Sequence, residues 1–293
     1  MSGDPGRVPT GAAGMAGIAA MAAAQASGEN FPVAMRLLPA RPRRHLMALY
    51  GFARLTDDIG DEAPPGDRLR LLDELEAELD RIYDPGAGSP RVPVMRALAA
   101  TVSARAIPAE PFRDLIQANR QDQVVTRYQT FDELLGYCRL SANPVGRVVL
   151  CIFGAASPQR DRLSDNICTA LQLVEHWQDV GEDLRNGRIY LPRQDLERFG
   201  CTEEDLAAPA AGPALRSLIA FQARRAAELL AEGAPLIATL HGAARVAVAG
   251  YVAGGRAALA AITASGHDVL RATPRPRRPR LAGELVRAYA RGR

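Results

Sequence analysis

The sequence predicts an all-α protein, a single domain of about eight to ten helices. Three observations carry this. Apolar residues recur at intervals of three and four along most of the 293-residue chain. Val, Ile and Thr are not gathered into alternating runs. The breaks between periodic segments fall at proline and glycine, as at Pro64-Pro65-Gly66 and Asp84-Pro85-Gly86. With 47% hydrophobic residues, the chain can build one large core.

Residues 1–24 are rich in alanine and glycine and are expected to be mobile. They lack a compact basic region followed by a leucine-rich apolar stretch, so no signal peptide is expected. RPRRHLMALYGFARLTDDIGDE and DRLRLLDELEAELDRIY show helical spacing and form the first two helices. Further helices are expected near residues 92–106, 109–122, 131–153, 160–185, 214–232 and 235–266. The most apolar stretch, AARVAVAGYVAGGRAALAAI, is interrupted by two arginines, so no membrane-spanning helix is predicted. The domain is expected to cover residues 25–270, followed by a basic Arg/Pro-rich tail, 271–293.

All 36 basic residues are arginine, against 33 acids, for a formal charge of +3. The tail holds eight arginines and one acid, Glu284, a charge of +7 that leaves −4 for the rest. An acidic body argues against a nucleic-acid partner. The basic tail suits anionic lipid, and a tail without a function is the alternative. Cys138, Cys151, Cys168 and Cys201 have no CxxC spacing and read as structural thiols of a reducing cytoplasm. His45, His176, His241 and His267 have no metal-ligand spacing.

Two acidic patches interrupt apolar helices. Arg54, Asp57, Asp58 and Asp61 share one helical face, with Tyr50 one turn earlier. Gln172, Glu175, Asp179 and Asp183 fall at successive intervals of three or four. A solvated face is the ordinary reading of one such patch. Each patch, however, contains a glycine, Gly60 or Gly181, at a cost of about 1 kcal/mol relative to alanine. Like charges four apart add to this. Two such patches predict a bound cation; a glycine kink with no ligand is the other reading. Carboxylates without histidine or cysteine suit Mg²⁺, which retains waters and substrate phosphate. Metal and arginine together would bind a diphosphate ester and stabilise diphosphate as a leaving group.

DDIGD and LQLVEHWQDVGEDLRNGRIYLP resemble the two aspartate motifs of the squalene/phytoene synthase family, over roughly residues 27–265. The resemblance implies an isoprenoid-synthase helical bundle around a central cavity, with Mg²⁺ on Asp57, Asp58, Asp61, Asp179 and Asp183. It also implies that Arg54, Gln172, Arg188 and Tyr251 serve a prenyl diphosphate substrate, and that Tyr137 serves catalysis. Glu175-His176-Trp177-Gln178-Asp179 stands where the condensing enzymes have N-x-x-R-D. ENFPVA (29–34), SANPVG (141–146) and EHWQD (175–179) together resemble the hydroxysqualene synthase branch of hopanoid synthesis. That branch implies presqualene diphosphate as substrate, ionisation, rearrangement and water capture, without NADPH. Loss of an arginine beside Asp179 suggests one fewer diphosphate to hold. Glu175 would orient the water or take its proton; a metal ligand or a salt bridge is the alternative. Condensation of two prenyl diphosphates is the sibling activity, and an inactive scaffold the reading from another class.

Asn143-Pro144 either bends a helix to widen a cavity or breaks it in a loop. Gln178, Asn143 and Phe31 are candidate substrate contacts, although core packing is the ordinary role of Phe31, Phe153 and Leu171. Trp177 is read as packing, and His176 either as packing or as a support behind the site rather than a base, outside the site itself. A cytoplasmic enzyme, membrane-peripheral where the tail meets lipid, is the expectation.

Overall fold

Leu46, Leu49, Phe52, Leu55 and Ile59 recur at intervals of three and four along α1 (Ala40–Asp61), and all five are buried. The computed structural model describes residues 38–276 and 278–291; residues 1–24 and all of ENFPVA, Phe31 included, lie outside them. The chain divides into two compact units at Val124 and Val125, and no strand occurs among the described residues.

The first unit holds α1, α2 (Arg68–Tyr83), α3 (Pro93–Arg105) and α4 (Glu110–Gln121). Leu71, Leu72, Leu75 and Leu79 give α2 its buried face. The Phe52 and Phe112 rings meet edge-on at 5.2 Å between α1 and α4. Arg68 donates to the Asp61 and Ala63 carbonyls at 2.7 and 2.8 Å, satisfying acceptors at the end of α1.

The second unit runs through α5 (Phe131–Ser141), α6 (Asn143–Ile152), α7 (Pro158–Gln178), α8 (Val180–Arg185), α9 (Arg193–Phe199) and α10 (Glu203–Leu206). It ends with α11 (Pro213–Gly233), α12 (Gly242–Ala264) and α13 (Arg278–Arg291). Thr130 and Ser157 cap α5 and α7, accepting from the third backbone N–H beyond each. Leu150, Ile167, Leu230, Leu236, Val248 and Val252 form the core, with Phe153 and Leu171 packed against it.

The expected helix over 131–153 is two helices. Ala142 (φ −115°, ψ −48°) links them, and Pro144 sits in the first turn of α6, where a missing N–H costs no helical bond. The small residues here serve packing rather than a cavity. A Cβ on Gly146 would lie 2.3 Å from Ser164 Oγ and 2.5 Å from Cys168 Sγ, so the glycine admits α7 against α6. The expected helix over 160–185 is interrupted at Asp179 (φ −107°, ψ 18°), so its acidic stripe does not lie on one continuous helix.

α9 and α10 are too short to show a period in the sequence, which takes the α-helices among the described residues to thirteen. The tail is also structured. Ala288 of α13 is buried, and the Arg245 guanidinium of α12 donates to the Tyr289 carbonyl at 2.9 Å and lies 4.6 Å over its ring. Against expectation, α12 is long and apolar enough by composition to cross a bilayer. Its Ala247, Val248, Val252, Ala253 and Ala257 are instead buried inside the unit.

Candidate active site

The first acidic motif closes α1. Asp57 and Asp61 stand four residues apart and are both exposed, whereas Asp58 is 5% exposed and forms an ion pair with Arg54, its Oδ1 2.8 Å from Nε. Asn119 of α4 donates to Asp57 Oδ1 at 3.1 Å. A Cβ on Gly60 would meet the Asn119 oxygen at 2.1 Å, so this glycine makes room for the amide beside the motif. That close approach, rather than tolerance of a bound cation, accounts for Gly60. Gln123 then donates to the Gly60 and Asn119 carbonyls at 3.1 and 2.9 Å. Asn119 escapes a reading by motif. Its signal is an amide on the apolar stripe of Phe112, Leu115 and Ile116.

The second motif lies at the junction of α7 and α8. The Asp179 N–H still bonds the Glu175 carbonyl at 3.0 Å, and the Asp183 N–H bonds the Asp179 carbonyl at 2.8 Å, so the chain keeps a helical course through the interruption. Gly187, with φ +80°, then reverses the backbone, and the Arg188 N–H returns to the Asp183 carbonyl at 2.8 Å. Arg188 is thereby placed beside Asp183, as its guanidinium's pull on that carboxyl shows. Burial, and then the negative charge of Asp179, push Asp183 up to about 7 despite Arg188; Glu175 and Glu182 add to the rise. Asp179 is raised by burial and Glu182 and held back by Arg275 and a Thr273 hydrogen bond.

Tyr137 is buried in a ring cluster with Tyr128, Tyr190 and His176. The His176 ring stacks on Tyr190 at a centroid distance of 3.7 Å. His176 Nε2 is 3.3 Å from the Gln172 amide, and its Nδ1 is 4.0 Å from an Asp183 oxygen. Burial and the neighbouring Arg188 push its pKa down to about 3, so the ring is neutral. His176 therefore borders Asp183 as a supporting neighbour, one of its two sequence readings; Trp177, fully buried, is packing. Tyr190, in the GRIYLP segment, is the ring partner the sequence reading passed over.

Gln172, Glu175, Asp179, Asp183, Arg188 and Tyr137 come together in this unit. Glu175 is exposed and close enough to raise Asp183. Gln178 is directed elsewhere, its amide donating to the Pro274 carbonyl. Asn143 opens α6 and is buried, its side chain accepting from the hydroxyl of Thr169 on α7 at 2.9 Å, a bond between the two helices. Tyr251 sits part-buried in the core region of α12, its phenol pushed up by burial and by Cys168.

Among the described residues, no three His, Cys, Asp or Glu side chains converge as a ready ligand set. The donor chemistry still fits Mg²⁺, which binds through one or two carboxylates and takes its other ligands from water and phosphate. Burial first, and then the negative charge of Asp179, Glu175 and Glu182, raise the pKa of Asp183, and a cation would relieve the charge part of that rise.

A chain of this helical construction, with an aspartate motif in each unit, is of the isoprenoid-synthase class. The model of the squalene/phytoene synthase family matches residues 24–282. A hydroxysqualene synthase of Rhodopseudomonas palustris is 41% identical over 216 residues, 72% of this chain and 71% of that one. A phytoene synthase of Mycobacterium tuberculosis is 36% identical over 215 residues, 72% of this chain and 70% of that one. Among solved structures, a squalene synthase of Alicyclobacillus acidocaldarius is 42% identical with a TM-score of 0.76, over 89% of this chain and 97% of that one. The chain belongs to the squalene/phytoene synthase family.

Proposed function

We propose that this chain converts presqualene diphosphate to hydroxysqualene. The observation that carries the reading is Glu175, an exposed carboxylate one turn before Asp179 and close to Asp183. It replaces an amide of the condensing pattern and stands where an acceptor could direct a water molecule. Two relatives named hydroxysqualene synthase, 41% and 37% identical, support the same branch.

Asp57 and Asp61 in the first unit would hold Mg²⁺, with Asp58 paired to Arg54, and so would Asp179 and Asp183 in the second unit. Bound metal supplies neutralisation of charge on the departing diphosphate. Arg188 pairs with diphosphate oxygens, a contact suited to its planar fork. Gln172 holds His176 beside Asp183. The Tyr137, Tyr190 and His176 rings present an apolar, electron-rich surface to an allylic or cyclopropylcarbinyl cation and exclude stray water. Glu175 orients the capturing water and takes its proton. Atoms balance: the carbon–oxygen bond to diphosphate breaks, the cation rearranges, and water adds its hydroxyl while releasing one proton. No reductant is needed.

The test is incubation with presqualene diphosphate or farnesyl diphosphate, with Mg²⁺, with and without NADPH, followed by mass spectrometry of a hexane extract. Hydroxysqualene from presqualene diphosphate without NADPH is the expected product. Presqualene diphosphate or phytoene from simple prenyl diphosphates would assign the chain to the condensing enzymes. Under the same proposal the enzyme is cytoplasmic and meets its lipophilic product at a membrane surface through α13. Equal sedimentation with anionic liposomes of the full chain and a chain ending at Leu270 would remove that last element.

A further inference from the structure

The chain between α12 and α13 crosses the second acidic motif. Asp268, 6% exposed, anchors its near end, accepting from the Ala211 N–H at 2.9 Å and from Arg216 at 2.7 Å. Leu270 then passes over α8, its Cδ2 within 3.6 Å of where a Cβ on Gly181 would lie. Thr273 hydrogen-bonds the Asp179 side chain, Gln178 donates to the Pro274 carbonyl, and Pro274 is buried. The far end is held by α13 against α12, through Ala288 and the Arg245–Tyr289 contact. Thr273 and Arg275 each precede a proline, which disfavours helix and keeps the strap extended. Arg275 is exposed and close enough to Asp179 to act on its charge.

We propose that residues 268–275 form a fixed strap of the active site, held by Gln178, in which Arg275 supplies the diphosphate-binding cation that position 178 lacks. This rests on the diphosphate chemistry proposed above. The substitution at 178 then moves a charge rather than deleting it. The amide clamps the strap through a backbone carbonyl, and the guanidinium arrives from about a hundred residues later in the chain. Arg275 directly follows Pro274, whose carbonyl Gln178 holds, which places the cation in the neighbourhood of Asp179. Metal on the carboxylate would leave the guanidinium available to a phosphate oxygen, for which its fork is suited. Position 178 alone consequently does not count diphosphates, and Glu175 is the better mark of the single-substrate reaction.

The experiment is calorimetric binding of inorganic diphosphate in the presence of Mg²⁺, using the full chain. Arg275→Ala is expected to weaken binding about tenfold, the loss of one charge-assisted contact. Arg280→Ala, an equal loss of charge from the exposed tail, is expected to leave it unchanged. Arg275→Ala combined with Gln178→Arg is expected to regain affinity. Hydrogen exchange across residues 269–276 should quicken in Gln178→Ala. Unchanged affinity in Arg275→Ala, or an equal loss in Arg280→Ala, overturns the strap's role while leaving the enzyme reading intact. Tighter binding by Arg275→Ala would make the strap an obstruction and also overturns it. If the unaltered chain binds no diphosphate with Mg²⁺, the enzyme reading itself fails.

Discussion

His176 Nδ1 faces an Asp183 carboxylate oxygen at 4.0 Å while its Nε2 lies 3.3 Å from the Gln172 amide. With the amide donating, Nε2 accepts and the ring proton sits on Nδ1, toward Asp183. The imidazole is neutral and, at 4.0 Å, borders the carboxylate from beyond hydrogen-bond reach, so it does not compete with a cation for it. His176→Phe keeps an aromatic ring against Tyr190 but removes both polar contacts. It should fold normally and need about tenfold more Mg²⁺ for half-maximal turnover, the usual scale for a neighbour that supports a ligand. A magnesium titration of turnover, alongside a thermal melt, separates this from simple destabilisation.

Asp183 sets a pH dependence for the metal-free protein. Its folded pKa of about 7 lies above the ordinary carboxyl range, chiefly through burial and then through Asp179. The folded state therefore holds a proton that the unfolded state has released between about pH 4 and 7. Stability from this group is present below pH 4 and is lost as pH rises through 7. Each tenfold difference in acidity is worth about 1.4 kcal/mol. In a chelator, urea midpoints should fall from pH 5 to pH 8, and Asp183→Asn should flatten that slope. Added Mg²⁺ should restore stability at pH 8 to the unaltered chain and do less for the variant.

Gly60 and Asn119 form a matched pair. Alanine at 60 would improve helix propensity by about 1 kcal/mol. Its Cβ, however, falls 2.1 Å from the Asn119 oxygen. The clash should prevail, and Gly60→Ala should lose about 1–3 kcal/mol in urea unfolding. Adding Asn119→Ala removes the obstructing amide, so the double variant should recover part of the loss. A double-mutant cycle measures the coupling. Additive losses would show that the two residues do not meet.

Most long helices were legible because burial imposes a period, and α1, α2 and α4 keep within a residue or two of their expected bounds. The aspartate motifs were legible because their spacing is local. What escaped was non-local. Asn119 reaches the first motif only because α4 packs on α1. Thr273 and Arg275 reach the second only because Asp268 and α13 hold the intervening chain. Composition marked residues 271–293 as a tail, yet Leu281, Leu285 and Ala288 give α13 a buried face, visible as spacing four and three once the arginines are set aside. The breaks at Ala142 and Asp179 were invisible to periodicity because the apolar pattern runs on through both.

Within the first motif the three aspartates should behave differently. Asp57 and Asp61 share an exposed face of α1, and Asp58 is turned into the unit, where it forms an ion pair with Arg54. Under the proposed function Asp61 would face the metal, and its carboxylate is exposed, so Asp61→Asn should fold as well as the unaltered chain. Its turnover should fall roughly a hundredfold or more. Asp58→Asn instead breaks a charge pair whose acid is buried and whose guanidinium is 27% exposed. It should lose about 1–3 kcal/mol of stability, with solvent at Arg54 keeping the loss below that of a fully buried pair. Turnover per folded molecule should suffer less than in Asp61→Asn. Urea unfolding and magnesium-dependent turnover, measured on both variants, decide between the two roles. Equal loss of turnover with no loss of stability in Asp58→Asn would place that carboxylate on the metal instead of on Arg54.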